Sequence, residues 1–145
     1  MRMRAVLVAA LVLALVACAR PDDETRIRSH IESMSSALAE ANQRAFMAPL
    51  AEDFSAETWD LDRRAVQLML IREFRAHERI RARVFDIDIE LFPDGRAEAS
   101  FQAVLTGGSG LIPEQGSWYR VTTGWRQVDA DWELISARWQ RVAGR

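Results

Sequence analysis

The stretch Ser117–Val142, SWYRVTTGWRQVDADWELISARWQRV, decides the fold. It carries four of the five tryptophans, Trp118, Trp125, Trp132 and Trp139, and the single tyrosine, Tyr119. Val121, Thr122, Thr123 and Val128 add β-branched side chains, and Asp129-Ala130-Asp131 interrupts the run with turn chemistry. Two β-rich arms around a short polar turn predict a hairpin. Rings of this size bury roughly 150–250 Å² each, so the hairpin is expected to anchor the core sheet. The tryptophans recur at every seventh position. An odd spacing switches faces along a strand, so this recurrence does not predict one aromatic face.

A second hairpin precedes it. Phe85, Ile87, Ile89 and Leu91 alternate with Asp86, Asp88 and Glu90, which predicts a strand with one apolar and one acidic face. Pro93-Asp94-Gly95 is a turn signal. Beyond it Ala97, Ala99, Phe101, Ala103 and Leu105 alternate with Glu98, Ser100, Gln102 and Thr106. Oxygen ligands suit a hard cation, but no glycine-bearing loop closes around Asp86, Asp88 and Glu90, so a solvated outer face is expected and no metal is assigned. Thr106–Gly116, TGGSGLIPEQG, reads as a flexible loop with Leu111 and Ile112 at its tip. It lacks a lysine and a following helix, so it is no phosphate cradle.

Upstream of the strands the period is helical. Ile27, Ile31, Met34, Leu38, Ala41 and Ala45 form one stripe at spacings of three and four, and Pro49 should end or redirect that helix. Leu50–Phe54, LAEDF, is expected as a short turn or helical cap. Asp60 and Asp62 offer two caps for a second helix with Val66, Met69, Leu70 and Phe74 on one stripe and His77 extending it. Arg72, Arg75 and Arg79 form a row on a neighbouring face, where a salt-bridged, solvated surface with Glu73 and Glu78 is expected.

The first eighteen residues, MRMRAVLVAALVLALVAC, are an address. Arg2 and Arg4 make a positive start, and Ala5 to Ala17 make an apolar run too short for a comfortable membrane-spanning helix. Leu15-Val16-Ala17-Cys18 resembles the lipobox of bacterial lipoproteins. That resemblance implies cleavage before Cys18, lipidation of its thiol and acylation of the new amino terminus. Ala19 in the next position resembles the outer-membrane sorting case. The expected organisation is therefore a signal peptide over 1–17, a lipidated tether over 18–24 and one domain over 25–143. The expected location is the bacterial cell envelope, anchored to the outer membrane and facing the periplasm.

Composition agrees with one domain. The chain has 145 residues, about half of them apolar, and one cysteine, so a core can form without disulfides or metals. All 19 basic residues are arginine, as codon bias in a GC-rich genome would give. The net charge of −2 gives no support to nucleic-acid binding.

Helix, short capped turn, helix, then antiparallel strands is an α+β order. Ile31-Glu32-Ser33-Met34 through Asp53-Phe54, and Asp131-Trp132-Glu133-Leu134-Ile135 with its turn followed by Trp-x-hydrophobic, resemble the nuclear transport factor 2-like superfamily (SnoaL-like, cystatin-like). The resemblance implies N-terminal helices packed on a curved antiparallel sheet around a conical pocket. It also implies that catalytic members place an Asp, Tyr or His inside the cone.

His30, His77, Tyr119, Asp53 and the strand acids are the candidate acid–base groups, and neither histidine has a partner acid or nucleophile at a meaningful sequence spacing. Where some catalytic relatives carry a His or Asp after the Trp-x-hydrophobic signature, this chain reads Ser136, Ala137 and Arg138. The aromatic supply favours an apolar ligand, with Phe54, Trp59, Tyr119, Trp125 and Trp139 as candidate contacts. The expectation is a lipid-anchored, non-catalytic envelope protein, without cofactor or metal, that binds a small apolar molecule or an envelope protein. Two alternatives remain. One is an isomerase, dehydratase or hydrolase using Tyr119, His30 or Asp53, and the other an assembly lipoprotein that forms a homodimer through its outer strand face.

Overall fold

The computed structural model describes residues 22–107 and 116–143. Three helices, α1 (Asp23–Ala39), α2 (Gln43–Met47) and α3 (Arg63–Ala76), pack on six strands. The strands are β1 (Leu50–Ala56), β2 (Leu61–Asp62), β3 (Ile80–Phe92), β4 (Arg96–Gly107), β5 (Ser117–Val128) and β6 (Asp131–Ala143). They form one sheet in the order β2-β1-β6-β5-β4-β3. All pairings are antiparallel except β1 with β6, so the expected α+β architecture has a mixed, curved sheet. The expected signal peptide, Cys18 and the loop tip at Leu111 and Ile112 lie outside the described residues. Every described element, and the core they share, lies within residues 23–143.

Helix α1 starts on Asp22, whose carboxylate accepts from the Thr25 amide at 2.7 Å. It ends six residues earlier than the apolar stripe implied. Ala41 takes a left-handed conformation (φ 50°), the Ala41 amide donates to the Leu38 carbonyl, and the Asn42 amide donates to the Ala37 carbonyl. Those two bonds are the Schellman stop, made here without glycine. Asn42 then caps α2 by accepting from the Ala45 amide at 3.0 Å. Of the two caps proposed for α3, Asp62 serves, accepting from the Ala65 amide at 2.7 Å.

The segment Leu50–Phe54 is a strand, not a turn. Leu50, Ala51, Phe54 and Ala56 are buried, and the Leu134 amide donates to the Pro49 carbonyl at 2.8 Å. Pro49 cannot donate but can accept, so it seeds the parallel β1–β6 pairing.

Both hairpins form where the alternation places them, with two departures. In β3 one extra residue sits between the Phe85–Gln102 and Asp88–Ser100 pairs, and Asp86 adopts φ 54° there. This bulge flips the strand's phase, so Val84, Ile87 and Ile89 face the core while Phe85 turns to the outer face beside Trp118. In β6 a bulge at Ile135 separates the Trp125–Leu134 and Gly124–Ser136 pairs. Trp132 and Leu134 before it, and Ala137 and Trp139 after it, therefore all join the core.

The core fills the space between α1, α3 and the inner face of the sheet. Ile27, Ile31, Val66 and Leu70 from the helices meet Phe54, Ile89, Ala97, Ala99, Trp125, Trp132 and Leu134. Small alanines on β4 leave room for the large rings of β5 and β6.

Candidate functional site

Strand β5 pairs without interruption against β4, so its odd-numbered side chains share one face. Tyr119, Val121, Thr123 and Trp125 point inward, and Trp118, Arg120, Thr122 and Arg126 point outward. The inward row is covered unevenly. Around Trp125, only 1% exposed, the face is sealed by α1 and by Trp132 and Phe54. The Trp125 indole Nε1 donates to Thr123 Oγ1 at 2.9 Å, and that hydroxyl donates to the Ala99 carbonyl at 3.1 Å. Towards Tyr119 the covering thins. Tyr119, Val121, Phe101, Trp139 and Phe74 are only half-buried, although the last three pack against the core.

This open half holds three of the five sequence candidates. Trp139 lies directly across from Val121, so Tyr119 is its diagonal neighbour on the same face. Trp59, 60% exposed in the β1–β2 turn, meets Trp139 edge to face with ring centroids 5.0 Å apart. Thr58 holds that turn against β6, because its hydroxyl accepts from the Trp139 amide at 2.9 Å. Phe54 and Trp125 belong to the sealed half. The β4 alternation points to Phe101, but sequence reasoning gave it no ligand role, nor one to Phe74 or Arg141. Arg141 stands opposite Tyr119, and its guanidinium donates to Ser117 Oγ at 2.9 Å.

The candidate acid–base groups do not converge. Asp53 lies on the outer side, where Arg126 grips both its oxygens at 2.9 Å and also reaches Glu133 at 3.2 Å. The hydrogen-bonded Arg126 guanidinium holds the Asp53 carboxyl below its usual range. His30 sits at the opposite end of the inner face from Tyr119, stacked on Trp125 with centroids 5.9 Å apart. Trp125 is six residues along β5 from Tyr119, or roughly 20 Å at ~3.3 Å per residue. His30 Nε2 contacts Asp131 Oδ1 at 2.9 Å, and the same oxygen accepts from the Trp132 amide at 2.8 Å. The bond from His30 is the main cause of the lowered Asp131 pKa. This His–Asp pair ties α1 to the β5–β6 turn, and no described nucleophile accompanies it. His77 caps α3 and contacts Glu73 at 3.3 Å. Asp86, Asp88 and Glu90 are exposed, and the described residues contain no cluster of metal-ligating side chains.

A surface cleft of about 600 Å³ lies away from the cone, between α2 and α3. Gln43, Arg44, Arg63 and Gln67 line it with Met47 and Ala48. Arg63 is already spent on the Leu50 carbonyl and Glu52. Two arginines and two glutamines line the cleft, whereas the half-buried face around Tyr119, Val121, Phe101 and Trp139 is mostly apolar, so that face is the better candidate for an apolar ligand.

No protein-family model matches this sequence, and no curated protein matches it in sequence. The fold, however, matches many solved structures. A proposed scytalone dehydratase from Novosphingobium aromaticivorans superposes with a TM-score of 0.75 at 12% identity, over 84% of this chain and 85% of that one. A cystatin-like protein from Caulobacter vibrioides gives 0.70 at 12% identity, over 85% and 92%. A proposed dehydratase of the nuclear transport factor 2-like family from Streptomyces avermitilis gives 0.70 at 14% identity, over 83% and 97%. At these identities the likeness establishes a shared cystatin-like, nuclear transport factor 2-like fold and leaves function to the site.

Proposed function

We propose that this chain is a lipid-anchored cell-envelope protein whose cone binds a small apolar molecule on the open half of its inner face. The observation that carries the reading is the half-buried wall of Tyr119, Val121, Phe101, Trp139 and Phe74, flanked by Trp59. A core-only role would favour sealing these rings as Trp125 is sealed. Binding without catalysis is the simpler role, because Asp53, His30 and Tyr119 occupy three separate places. Dehydratase names belong to the fold neighbours. The anchor reading rests on the lipobox at Leu15–Cys18, with Ala19 favouring the outer membrane. One acyl chain holds a protein only marginally, whereas two or more hold it stably.

The test uses the chain from Ala19 onward, which contains every described element. Its tryptophan fluorescence is titrated with apolar ligands, in the wild type and in Trp139→Leu. A saturable shift that weakens in the variant is expected; a spectrum unmoved by every ligand contradicts the cone reading. For the anchor, a palmitate analogue should label the full chain but not Cys18→Ser. An unlabelled wild type contradicts the anchor.

A further inference from the structure

On the four long strands β3–β6, the described inward-facing positions are almost wholly apolar. Ile80, Ala82, Val84, Ile87, Ile89 and Leu91 come from β3, and Ala97, Ala99, Phe101, Ala103 and Leu105 come from β4. Ser117, Tyr119, Thr123 and Gln127 supply hydrogen-bonding groups on β5 without charge. Arg141 is the one ionised side chain among these inward positions. The β6 bulge puts it there, since Ala137, Trp139 and Arg141 fall opposite Thr123, Val121 and Tyr119.

Its environment differs from that of the outer-face arginines Arg126 and Arg138. Arg126 meets Asp53 and Glu133, and Arg138 faces Glu98 at 3.8 Å. No described carboxylate lies within ion-pair distance of Arg141. Among the described residues its side-chain partner is the neutral Ser117 hydroxyl, which engages one edge of the guanidinium; a guanidinium carries five N–H donors. Directly opposed side chains in an antiparallel pair have Cβ atoms about 5 Å apart, so the Tyr119 side chain and Arg141 stand at one location. Trp139 lies two residues away on the same face, about 7 Å along the strand.

We propose that the cone selects an amphiphilic monoanion, an aliphatic or aromatic carboxylate. Its apolar body lies along Trp139, Val121 and Phe101, and its carboxylate meets Arg141 at the rim. The guanidinium fork matches a carboxylate in two parallel hydrogen bonds, and such charge-assisted bonds are about twice as strong as neutral ones. An uncharged ligand of the same length would gain only the apolar contacts. The inference rests on the open half of the cone being the ligand surface.

The experiment compares decanoate with decanol, probes sharing one hydrocarbon chain. Both are titrated below their aggregation limits into the chain from Ala19 onward, in the wild type, Arg141→Met and Arg141→Lys. Methionine keeps an apolar stem at an exposed position, so the fold should persist, and far-ultraviolet circular dichroism checks it. The wild type should bind decanoate about tenfold or more tighter than decanol. Arg141→Met should bring the two ligands together by weakening decanoate alone, and Arg141→Lys should restore part of the difference. Equal binding of both probes by the wild type, or an unchanged preference in Arg141→Met, overturns the selection for anions and leaves the cone as an apolar site. Binding of neither probe overturns both readings.

Discussion

Replacing Thr123 by valine tests whether Trp125 is fixed core. Thr123 is 5% exposed, and its hydroxyl joins the Trp125 indole to the Ala99 carbonyl. Valine keeps the shape and the strand preference while removing the hydroxyl. The buried indole N–H then loses its acceptor, a cost of about 1–3 kcal/mol. The extra methyl offsets up to ~0.8 kcal/mol of that. The net loss should be about 1–2 kcal/mol, which for a domain of this size lowers the melting temperature by roughly 4–10 °C. A second background isolates the bond. In Trp125→Phe the donor is already gone, so Thr123→Val should then cost about 1 kcal/mol less. Urea unfolding of the four proteins gives this coupling directly. Additive losses, or a Thr123→Val protein as stable as wild type, would refute the hydrogen-bonded packing that separates Trp125 from the open half.

Other consequences are equally open to measurement. Trp132 is 3% exposed and donates to Asp23 at 2.9 Å, whereas Trp118 is 38% exposed on the outer face. Trp132→Phe should therefore cost about 1–3 kcal/mol and Trp118→Phe about 1 kcal/mol or less, by chemical denaturation; the reverse order contradicts the assigned faces. Gly95 turns the β3–β4 hairpin at φ 76°, so Gly95→Ala should destabilise by about 1–2 kcal/mol even though its Cβ would make only an ordinary contact with Gln127 at 3.8 Å. The Asp131 carboxyl titrates below its ordinary value of 3.8 because of His30. A depressed folded-state value gives stability that is present above the unfolded pKa and lost as pH falls through the folded one. Stability should thus fall below about pH 4, and Asp131→Asn should flatten that acid limb; an equally steep limb would argue against the His30–Asp131 link.

The hairpins were legible because alternation and turn chemistry are local signals. Ser117–Val128, Asp131–Ala143 and the Pro93–Gly95 turn stand where the pattern puts them. What escaped the pattern has physical causes. The stop after Ala39 uses alanine in a left-handed conformation, so no glycine announces it. Leu50–Ala56 is a strand because it pairs in parallel with β6, whose residues lie about 80 positions later. Asp86 and Ile135 each shift a strand's phase by one residue. Local alternation cannot register such a bulge, and so it assigns Phe85 to the wrong face.

The tryptophan repeat shows both effects. Trp118 and Trp125 fall on opposite faces of β5, as an odd spacing requires, while the bulge returns Trp132 and Trp139 to one face. For the candidate site, the sequence names the residue types but not their arrangement. Aromatic abundance pointed to Trp59, Tyr119 and Trp139, but only the curled sheet separates them from Trp125 and Phe54. His30 meets Asp131 across 101 residues, a pairing no spacing rule could reveal. Arg141 was hidden for the same reason, since its face depends on the Ile135 bulge.

The open inner face is the central claim, and the indole N–H region of a nitrogen–proton correlation spectrum tests it most directly. The five tryptophans give one resonance each, assigned by single Trp→Phe variants and followed during titration with decanoate. Trp59 and Trp139 should shift along a saturable curve while Trp125 and Trp132 stay in place. Shifts confined to Trp118 on the outer face, or no shift in any indole, would contradict it.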